Sequence, residues 1–272
     1  MDLDVAGFKE PKPFTESEQQ AIDDLKELCS QHSNIHFQLD NYFLTKFLRF
    51  CDWIAKDAFD AVVKLYTLKH NHPTLHASKN VSEYIEMLNM HAGIWLGKRD
   101  KCGRILFVSK LANMKPPMQF NDAFIINDIW MELALSNPIT QMNGISIVVD
   151  CKGLSSSILK WLIPKNCKVS SSKLDSFPIR NWTLHLVNMG PILKTCAALV
   201  KPFLSKPTLA KIQLHTNGFK DLIEQLGEDC LPDEYGGTLG PIDYEQSLKF
   251  LLTHEKMLEH NRQFGIKSNK NE

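Results

Sequence analysis

The sequence predicts an α/β protein of two parts, in which a small N-terminal helical bundle precedes a larger domain with a mostly parallel sheet. Up to residue 95 the chain shows short, close-set, amphipathic helical patterns. From Gly97 onward, strand patterns alternate with helical patterns, which indicates parallel strands joined by helices. Residues 144–150 form a near-continuous β-branched run, typical of a strand buried on both faces. The length of 272 residues suffices for one small and one large domain.

The helical domain is expected to span residues 15–95, after a flexible arm formed by residues 1–14. Thr15-Glu16-Ser17-Glu18 is a capping box, in which side-chain oxygens satisfy the free N–H groups of the first turn. Asp40 can cap a second helix in the same way. Four helices are predicted here: residues 16–29, a short helix after Asp40, residues 56–71 and residues 81–90.

The α/β domain is expected to span residues 96–265, and residues 266–272 form a polar tail. Its strands are predicted at residues 105–109, 144–150, 182–187 and 211–215. Its helices are predicted at residues 120–135, 155–161, 191–204, 218–226 and 243–263.

Charge, hydropathy and cysteine spacing exclude several classes of protein. Lysine plus arginine and aspartate plus glutamate both number 31, which argues against a general nucleic-acid binder. No run of eighteen apolar residues exists, so no membrane span is expected. The seven cysteines follow no C-x-x-C spacing, and the N-terminus lacks the apolar core of a secretory signal. We therefore expect reduced thiols and a cytoplasmic location.

Motifs for catalysis and for metal binding are weak. Gly153-Leu154-Ser155 follows a predicted strand but lacks the second glycine of a nucleophile elbow. No Walker loop and no G-x-G-x-x-G motif is present. His72 and His76 have helical spacing, but Pro73 interrupts the helix between them. The sequence thus favours a protein that is not an enzyme and needs no metal or cofactor.

The most distinctive segment is the nearly all-apolar run 192–204. Gly190-Pro191 can open a helix, because proline suits the first helical turn. Four apolar residues then fall on one side of that helix at spacings of three and four: Leu193, Cys196, Val200 and Leu204. Such a helix is either buried in a core or covers an apolar region while facing a membrane.

Five motifs occur in an order and at spacings that resemble the CRAL-TRIO lipid-binding family, in particular its α-tocopherol transfer protein-like branch. They are Phe43-Leu44-x-x-Phe47-Leu48-Arg49, Ser176-Phe177-Pro178-Ile179-Arg180, Leu184-His185-Leu186-Val187-Asn188, Lys201-Pro202-Phe203-Leu204 and Leu231-Pro232-x-Glu234-Tyr235-Gly236-Gly237. The resemblance covers roughly residues 15–265. It implies a hydrophobic pocket in the α/β domain and identifies the apolar helix as a mobile lid.

Candidate pocket residues share faces of the predicted elements. Alternate residues of the strand 144–150 point to one side, and residues of the helix 120–135 share a face at spacings of three and four. They are Phe124, Asn127, Met131, Ile145, Ile147 and Val149, followed downstream by Phe177, Ile179 and Leu184. The pattern alone favours an ordinary core, whereas the resemblance implies a cavity closed by the four lid residues. Asn127 could hydrogen-bond a ligand hydroxyl.

One stretch departs from the family. Residues 169–174 are more polar than in relatives, with Ser172 and Lys173 at positions where apolar pocket residues are expected. Either this stretch does not match those positions or the pocket wall differs in this chain.

A basic group surrounds the lid in sequence: Arg180, Lys201, Lys206 and Lys211. The resemblance implies that these residues bind phosphoinositide head groups at a membrane surface. Trp182 and Cys51 replace further basic residues, so the group is smaller than in relatives. Each cation near an anionic leaflet contributes roughly 1 kcal/mol, which suits steering rather than firm anchoring. The alternative is a set of scattered, solvated charges.

Together these features predict intracellular binding and inter-membrane transfer of a small hydrophobic lipid that is tocopherol-, retinoid- or otherwise isoprenoid-like. Lid opening would expose Ile192, Leu199 and Phe203 to a bilayer. Two alternatives remain: a phospholipid or phosphoinositide exchange protein of the same fold, and a non-transferring lipid-sensing scaffold whose pocket is vestigial.

Overall fold

The computed structural model describes residue 10 and residues 12–267. Residues 1–9 and 11 of the predicted arm, and residues 268–272 of the predicted tail, lie outside this part of the chain. The described residues form a helical bundle and an α/β unit built on a five-stranded, mostly parallel sheet, which confirms the predicted fold class.

The bundle consists of α1 (Glu16–Ser30), α2 (Asn41–Phe50) and α3 (Ala55–Asn71). The Thr15 side chain and Glu18 form the predicted capping box. The Asp40 side chain accepts a hydrogen bond from the N–H of Phe43 and caps α2. Fully buried apolar side chains fill the space between the three helices: Ile22, Leu25, Leu44, Phe47, Leu48 and Val62.

The end of the chain returns to this bundle. The short strand β1 (Ile35–His36) pairs antiparallel with β7 (Gly265–Ile266). Phe264 and Ile266 pack against the bundle core. This two-residue pairing joins distant parts of the chain, and the sequence contains no signal for it.

The predicted helix at residues 81–90 is shorter in the structure. A 3₁₀ turn, Val81–Tyr84, leads into α4 (Ile85–Leu88). Val81, Tyr84 and Leu88 pack in the core of the α/β unit rather than in the bundle core.

The sheet has the order β2-β3-β4-β5-β6. Its strands are β2 (Gly93–Arg99), β3 (Ile105–Lys110), β4 (Ile145–Asp150), β5 (Trp182–Val187) and β6 (Ile212–Leu214). Strand β2 runs antiparallel to β3, and the other neighbours are parallel. Sequence analysis did not predict β2, because two glycines and two cations dilute its apolar pattern and a bulge interrupts it between Trp95 and Arg99.

The remaining helices complete the described part of the chain. They are α5 (Phe120–Leu135), α6 (Pro138–Asn143), α7 (Pro164–Leu174), α8 (Pro191–Val200), α9 (Lys206–Ala210), α10 (Lys220–Leu226), α11 (Tyr244–Thr253) and α12 (Glu255–Asn261). The predicted lid 191–204 is α8 followed by a 3₁₀ turn, Lys201–Phe203, that contains Pro202. The predicted helix 243–263 is divided at His254 into α11 and α12. The predicted helix 155–161 is a 3₁₀ turn over Ser156–Trp161.

The motif Leu231–Gly237 has a structural role on the face of the sheet that α10 covers. The Tyr235 hydroxyl donates a hydrogen bond of 3.2 Å to Asp150 Oδ2 at the end of β4. Gly236 adopts a positive φ of 77°, and a Cβ at Gly237 would lie 2.0 Å from the Leu231 carbonyl oxygen. Glycine is therefore required at both positions of this turn.

Candidate functional site

The α/β unit contains a partly open apolar cavity of about 250 Å³ between one face of the sheet and the helices α5 and α7. Strands β3, β4 and β5 supply Phe107, Ser109, Ile147, Val149, Trp182 and Leu184. The two helices and the segment after α7 supply Phe124, Asn127, Met131, Ser170, Lys173, Leu174, Phe177 and Ile179. The alternation of side chains along each strand places these residues on one face, because successive residues point to opposite sides.

Most of the predicted pocket residues lie together in this cavity. They are Phe124, Asn127, Met131, Ile147, Val149, Phe177, Ile179 and Leu184. Ile145 shares their face of β4 but does not line the cavity. It lies at the start of the strand, where it is fully buried in the adjoining core.

The predicted lid residues do not line the cavity in this conformation. Cys196 is buried, while Leu193, Val200 and Leu204 are half-buried. Leu199 keeps 42% of its surface exposed.

The stretch 169–174 supplies part of the wall. Ser170, Lys173 and Leu174 on α7 line the cavity, whereas Ser172 is exposed. Sequence analysis did not predict α7, since its run of serines carries little helical pattern. The further wall residues Phe107 and Trp182 could have been found, because they belong to predicted strands and alternate with their neighbours.

Lys173 brings a charge to this apolar wall. Its side chain is 4% exposed, and its Nζ donates a hydrogen bond of 2.5 Å to the carbonyl oxygen of Leu75. The same Nζ lies 3.1 Å from Asp128 Oδ1 on α5 and 5.4 Å from the ring centre of Phe124. The ion pair thus connects α7 to α5 at the edge of the cavity.

Asp128 is held as a carboxylate by several groups. Its Oδ2 accepts a hydrogen bond of 3.3 Å from the N–H of Ala77 and lies 3.4 Å from His76 Nδ1. Burial alone would raise the pKa of Asp128, but Lys173 and His76 hold it below its usual range. Burial lowers the pKa of His76, so its imidazole is neutral near pH 7.

Two uncharged polar side chains also face the cavity. Within the described residues, neither Asn127 nor Ser109 makes a side-chain hydrogen bond. Gly93 pairs with Ser109 across β2 and β3, and a Cβ at Gly93 would lie 2.8 Å from the Phe107 ring and 3.6 Å from Asn127 Oδ1. The glycine therefore leaves room for both side chains at this part of the wall.

The predicted basic group is divided in the structure. Arg180 and Lys211 line one surface cleft of about 390 Å³, together with Arg104. Arg180 forms an ion pair with Asp52, and Lys211 Nζ lies 4.8 Å from the ring centre of Trp182. Lys201 and Lys206 are exposed and lie outside this cleft.

Other kinds of site have little support in the described part of the chain. No group of three or more His, Cys, Asp or Glu side chains there is placed to hold a metal ion. Among residues 10 and 12–267, no helix has the length and apolar character that a bilayer span requires.

Comparison with known proteins agrees with this architecture. The CRAL/TRIO domain matches residues 88–237. Clavesin-1 of Rattus norvegicus is 26% identical over 239 residues, which cover 86% of this chain and 67% of the relative. The α-tocopherol transfer protein-like protein of Homo sapiens is 29% identical over 240 residues, covering 87% and 69%.

The crystal structure of Sfh5 superposes with a TM-score of 0.52 and covers 91% of this chain and 99% of that chain. At 15% identity, this similarity concerns the fold alone. The domain match extends over more than half of the chain and contains β2 to β6, α5 and α7. By this match the chain belongs to the CRAL/TRIO domain family.

Proposed function

We propose that this protein binds a small hydrophobic lipid in the cavity between α5, α7 and the sheet, and that it carries this lipid between membranes. The observation that carries the proposal is the cavity itself, since its wall is mostly apolar with a few polar side chains, as is usual for small-molecule sites. A buried apolar ligand gains roughly 25 cal/mol per Å² of surface removed from water. The human relative's name refers to α-tocopherol transfer, which supports an isoprenoid-like cargo.

The size of the cavity favours a slender cargo. Its volume of about 250 Å³ lies just below the range of roughly 300–1,000 Å³ usual for ligand pockets. A single hydrophobic chain suits this volume better than a phospholipid with two acyl chains. A larger isoprenoid would require the cavity to widen, and displacement of the lid is a route to that change.

The lid is suited to contact a bilayer. Leu199 is exposed, while Ile192 and Phe203 are half-buried on the same segment. Opening of the lid would transfer their apolar surface from the protein to the membrane, which stabilises the open state there.

Lipid extraction tests the binding function directly. The protein is purified after expression in cells, and bound lipids are identified by native mass spectrometry and by extraction. We expect one apolar molecule per chain in the parent protein, and much less in the variant Val149→Phe, whose ring would occupy the cavity. An empty parent protein, or equal lipid in both proteins, would contradict lipid binding at this site.

The same result separates the alternatives. An isoprenoid or another single-chain lipid supports the proposed cargo, whereas a co-purified phospholipid supports an exchange protein. An empty pocket supports the non-transferring scaffold.

For membrane attachment, we propose that the cleft of Arg104, Arg180 and Lys211 binds phosphoinositide head groups. Cations that share a concave surface offer several charge-assisted hydrogen bonds to one phosphate group. Arg180 and Lys211 were expected to act in this way, and they are the two members of the basic group that the structure brings together.

Liposome sedimentation tests the cleft against the lid-proximal lysines. The double variant Arg180→Ala/Lys211→Ala should reduce binding to vesicles that contain phosphatidylinositol bisphosphate. The matched double variant Lys201→Ala/Lys206→Ala also removes two cations but lies outside the cleft, so it should reduce binding less. Equal losses would indicate general charge attraction, and no loss in either variant would exclude head-group binding by this group.

A further inference from the structure

Among the residues that line the cavity, Lys173 is the one with a charged side chain. The side chain of Lys173 is 4% exposed, although most of the wall around it is apolar. A buried charge is costly unless it is paired and hydrogen-bonded. The partners of Lys173 therefore show whether the protein alone satisfies this charge.

Two of the three N–H groups of Lys173 have partners within the described chain. One faces the carbonyl oxygen of Leu75, and one faces Asp128 Oδ1 at 3.1 Å. No third oxygen acceptor for this ammonium occurs among the described residues, and its other neighbour is the ring of Phe124 on the cavity wall, with 5.4 Å between Nζ and the ring centre. The third N–H therefore has only a weak partner in the protein and can donate to an oxygen of a molecule inside the cavity.

Lys173 belongs to a network of buried charges. The carboxylates of Asp128 and Glu132, one turn apart on α5, form ion pairs with Lys173, Lys69 and Arg262 at 3.1, 3.5 and 3.5 Å. Lys46 and Glu255 interact with the same groups at a longer range. An anion next to Lys173 would be attracted by its ammonium and by the nearby Lys69.

Neighbouring polar groups can complete such a site. The amide of Asn127 lies on α5 next to Asp128 and lines the same cavity. Within the described chain this amide makes no side-chain hydrogen bond, so its N–H groups can donate to a second oxygen of a ligand. The remainder of the wall suits a hydrocarbon chain.

From this arrangement we infer that the preferred cargo is a lipid with a carboxylate head and one hydrophobic chain, whose head lies against Lys173 and Asn127. This inference rests on the proposed lipid-binding function and specifies its substrate class. A carboxylate supplies a negative charge next to the ammonium and accepts charge-assisted hydrogen bonds, which are stronger than those of an alcohol.

Competition among three lipids with the same chain tests the inference on the unmodified protein. Palmitic acid, 1-hexadecanol and methyl palmitate each displace the neutral fluorophore N-phenyl-1-naphthylamine at pH 8, where the acid is ionised in water. We expect the acid to bind about tenfold or more tightly than the alcohol and the ester, as a charge-assisted hydrogen bond permits. Equal binding of acid and alcohol would overturn the inference and leave lipid binding intact, whereas no displacement by any of the three would overturn both.

Variants then assign the preference to Lys173. The double variant Lys173→Met/Asp128→Leu removes both charges of the pair together, and the ratio of acid to alcohol affinity should fall to about one. Lys173→Arg keeps the charge and should keep the preference. A preference that persists in the double variant but disappears in Asn127→Leu would place the head on the amide and overturn the role of Lys173. If the double variant does not fold, the comparison of the three lipids on the parent protein still decides whether a carboxylate is preferred.

Discussion

The two faces of the five-stranded sheet are built from alternate residues of the same strands, yet one face lines a partly open cavity and the other packs against helix α10. On β4, Ile147 and Val149 line the cavity, whereas Val148 between them is fully buried on the opposite face. There, Val148 packs with Leu222 and Leu226 of α10. The difference arises from the covering helices, because α5 and α7 leave a space that the side chains of the cavity face do not fill.

The two faces differ in the hydrogen bonding of their polar side chains. On the face opposite the cavity, the Ser146 hydroxyl donates a hydrogen bond to Asp100 Oδ2 at 2.6 Å, and Thr183 Oγ1 lies 3.1 Å from Ser146 Oγ. His185 lies 3.0 Å from Thr183 and, through Nδ1, 3.0 Å from His215 Nε2.

The direction of these bonds follows from the carboxylate, which only accepts. Each hydroxyl has a single hydrogen, so Thr183 donates to Ser146, and His185 Nε2 donates to Thr183. A neutral His185 then accepts from His215 at Nδ1. Ser146, Thr183 and His185 each have their partners in the protein, and the series ends at His215, whose buried Nδ1 has no partner among the described residues. On the cavity face, neither Asn127 nor Ser109 makes a side-chain hydrogen bond within the described residues. The packed face thus pairs most of these polar groups internally, whereas the cavity face leaves two of them available to a ligand.

The largest expected effect on stability concerns the ion pair between Lys173 and Asp128. Asp128→Leu leaves the ammonium of Lys173 buried without its partner, which should reduce the free energy of unfolding by about 3–5 kcal/mol. Urea denaturation measures the loss. The double variant Lys173→Met/Asp128→Leu is the control, and it should regain most of the stability because no charge remains unpaired. A single variant as stable as the parent would show that this pair does not matter to folding.

The free energy of unfolding should depend on pH through His185, which lies on the face opposite the cavity. Burial, followed by the charges of His215 and Arg104, lowers the pKa of His185 from 6.5 to about 4. In the unfolded chain the imidazole takes up a proton below about pH 6.5, whereas the folded chain resists this until about pH 4. The corresponding stability is therefore present above pH 6.5 and is lost as the pH falls toward 4, to a total of roughly 3 kcal/mol.

Unfolding free energies measured between pH 7.5 and 4.5 test this linkage. His185→Gln keeps one donor and one acceptor but does not titrate, so its stability should fall less steeply with decreasing pH. The remaining slope would come from other histidines, such as His76 and His215, whose pKa values are also lowered. Parallel pH profiles for parent and variant would contradict the neutral state of His185.

Much of this arrangement could be predicted from the sequence, because the strands of the sheet centre carry clear patterns. The alternation on β4 and the spacing of Phe124, Asn127 and Met131 indicate the right faces of the right elements, and these residues do meet at one cavity. The sequence could not separate Ile145 from Ile147, since both have the same pattern and only the packing at the start of β4 buries the first.

Other features were beyond sequence analysis for physical reasons. Helix α7 carries three serines and three lysines and is held by tertiary contacts rather than by an apolar stripe. The pairing of Lys173 with Asp128 joins residues on two different helices, which no local pattern encodes. The lid was predicted to close the cavity, yet none of its four predicted residues is part of the cavity wall in this conformation.

A matched pair of substitutions tests the difference in packing between the faces. Val149→Phe adds volume on the cavity side, where space exists, and should change the free energy of unfolding by less than about 1 kcal/mol. Val148→Phe adds the same volume to the filled face and should cost about 1–3 kcal/mol. Thermal and urea unfolding measure both values. Equal costs would show that the cavity is not available to a side chain, and hence not to a ligand.

The smallest effect on stability concerns two exposed leucines, and it tests the proposed role of α8 as a lid. Leu199 on α8 and Leu214 at the end of β6 are 42% and 61% exposed. Replacement of either by glutamate should change the free energy of unfolding by no more than about 0.5 kcal/mol, because neither is part of a packed core. Only Leu199→Glu should weaken association with neutral phosphatidylcholine vesicles and slow lipid transfer between them, since a charge on the lid opposes its insertion into the bilayer. If Leu214→Glu slows transfer to the same extent, general surface charge rather than α8 determines the rate of transfer. The lipid would then have to enter the cavity by a route that does not involve α8.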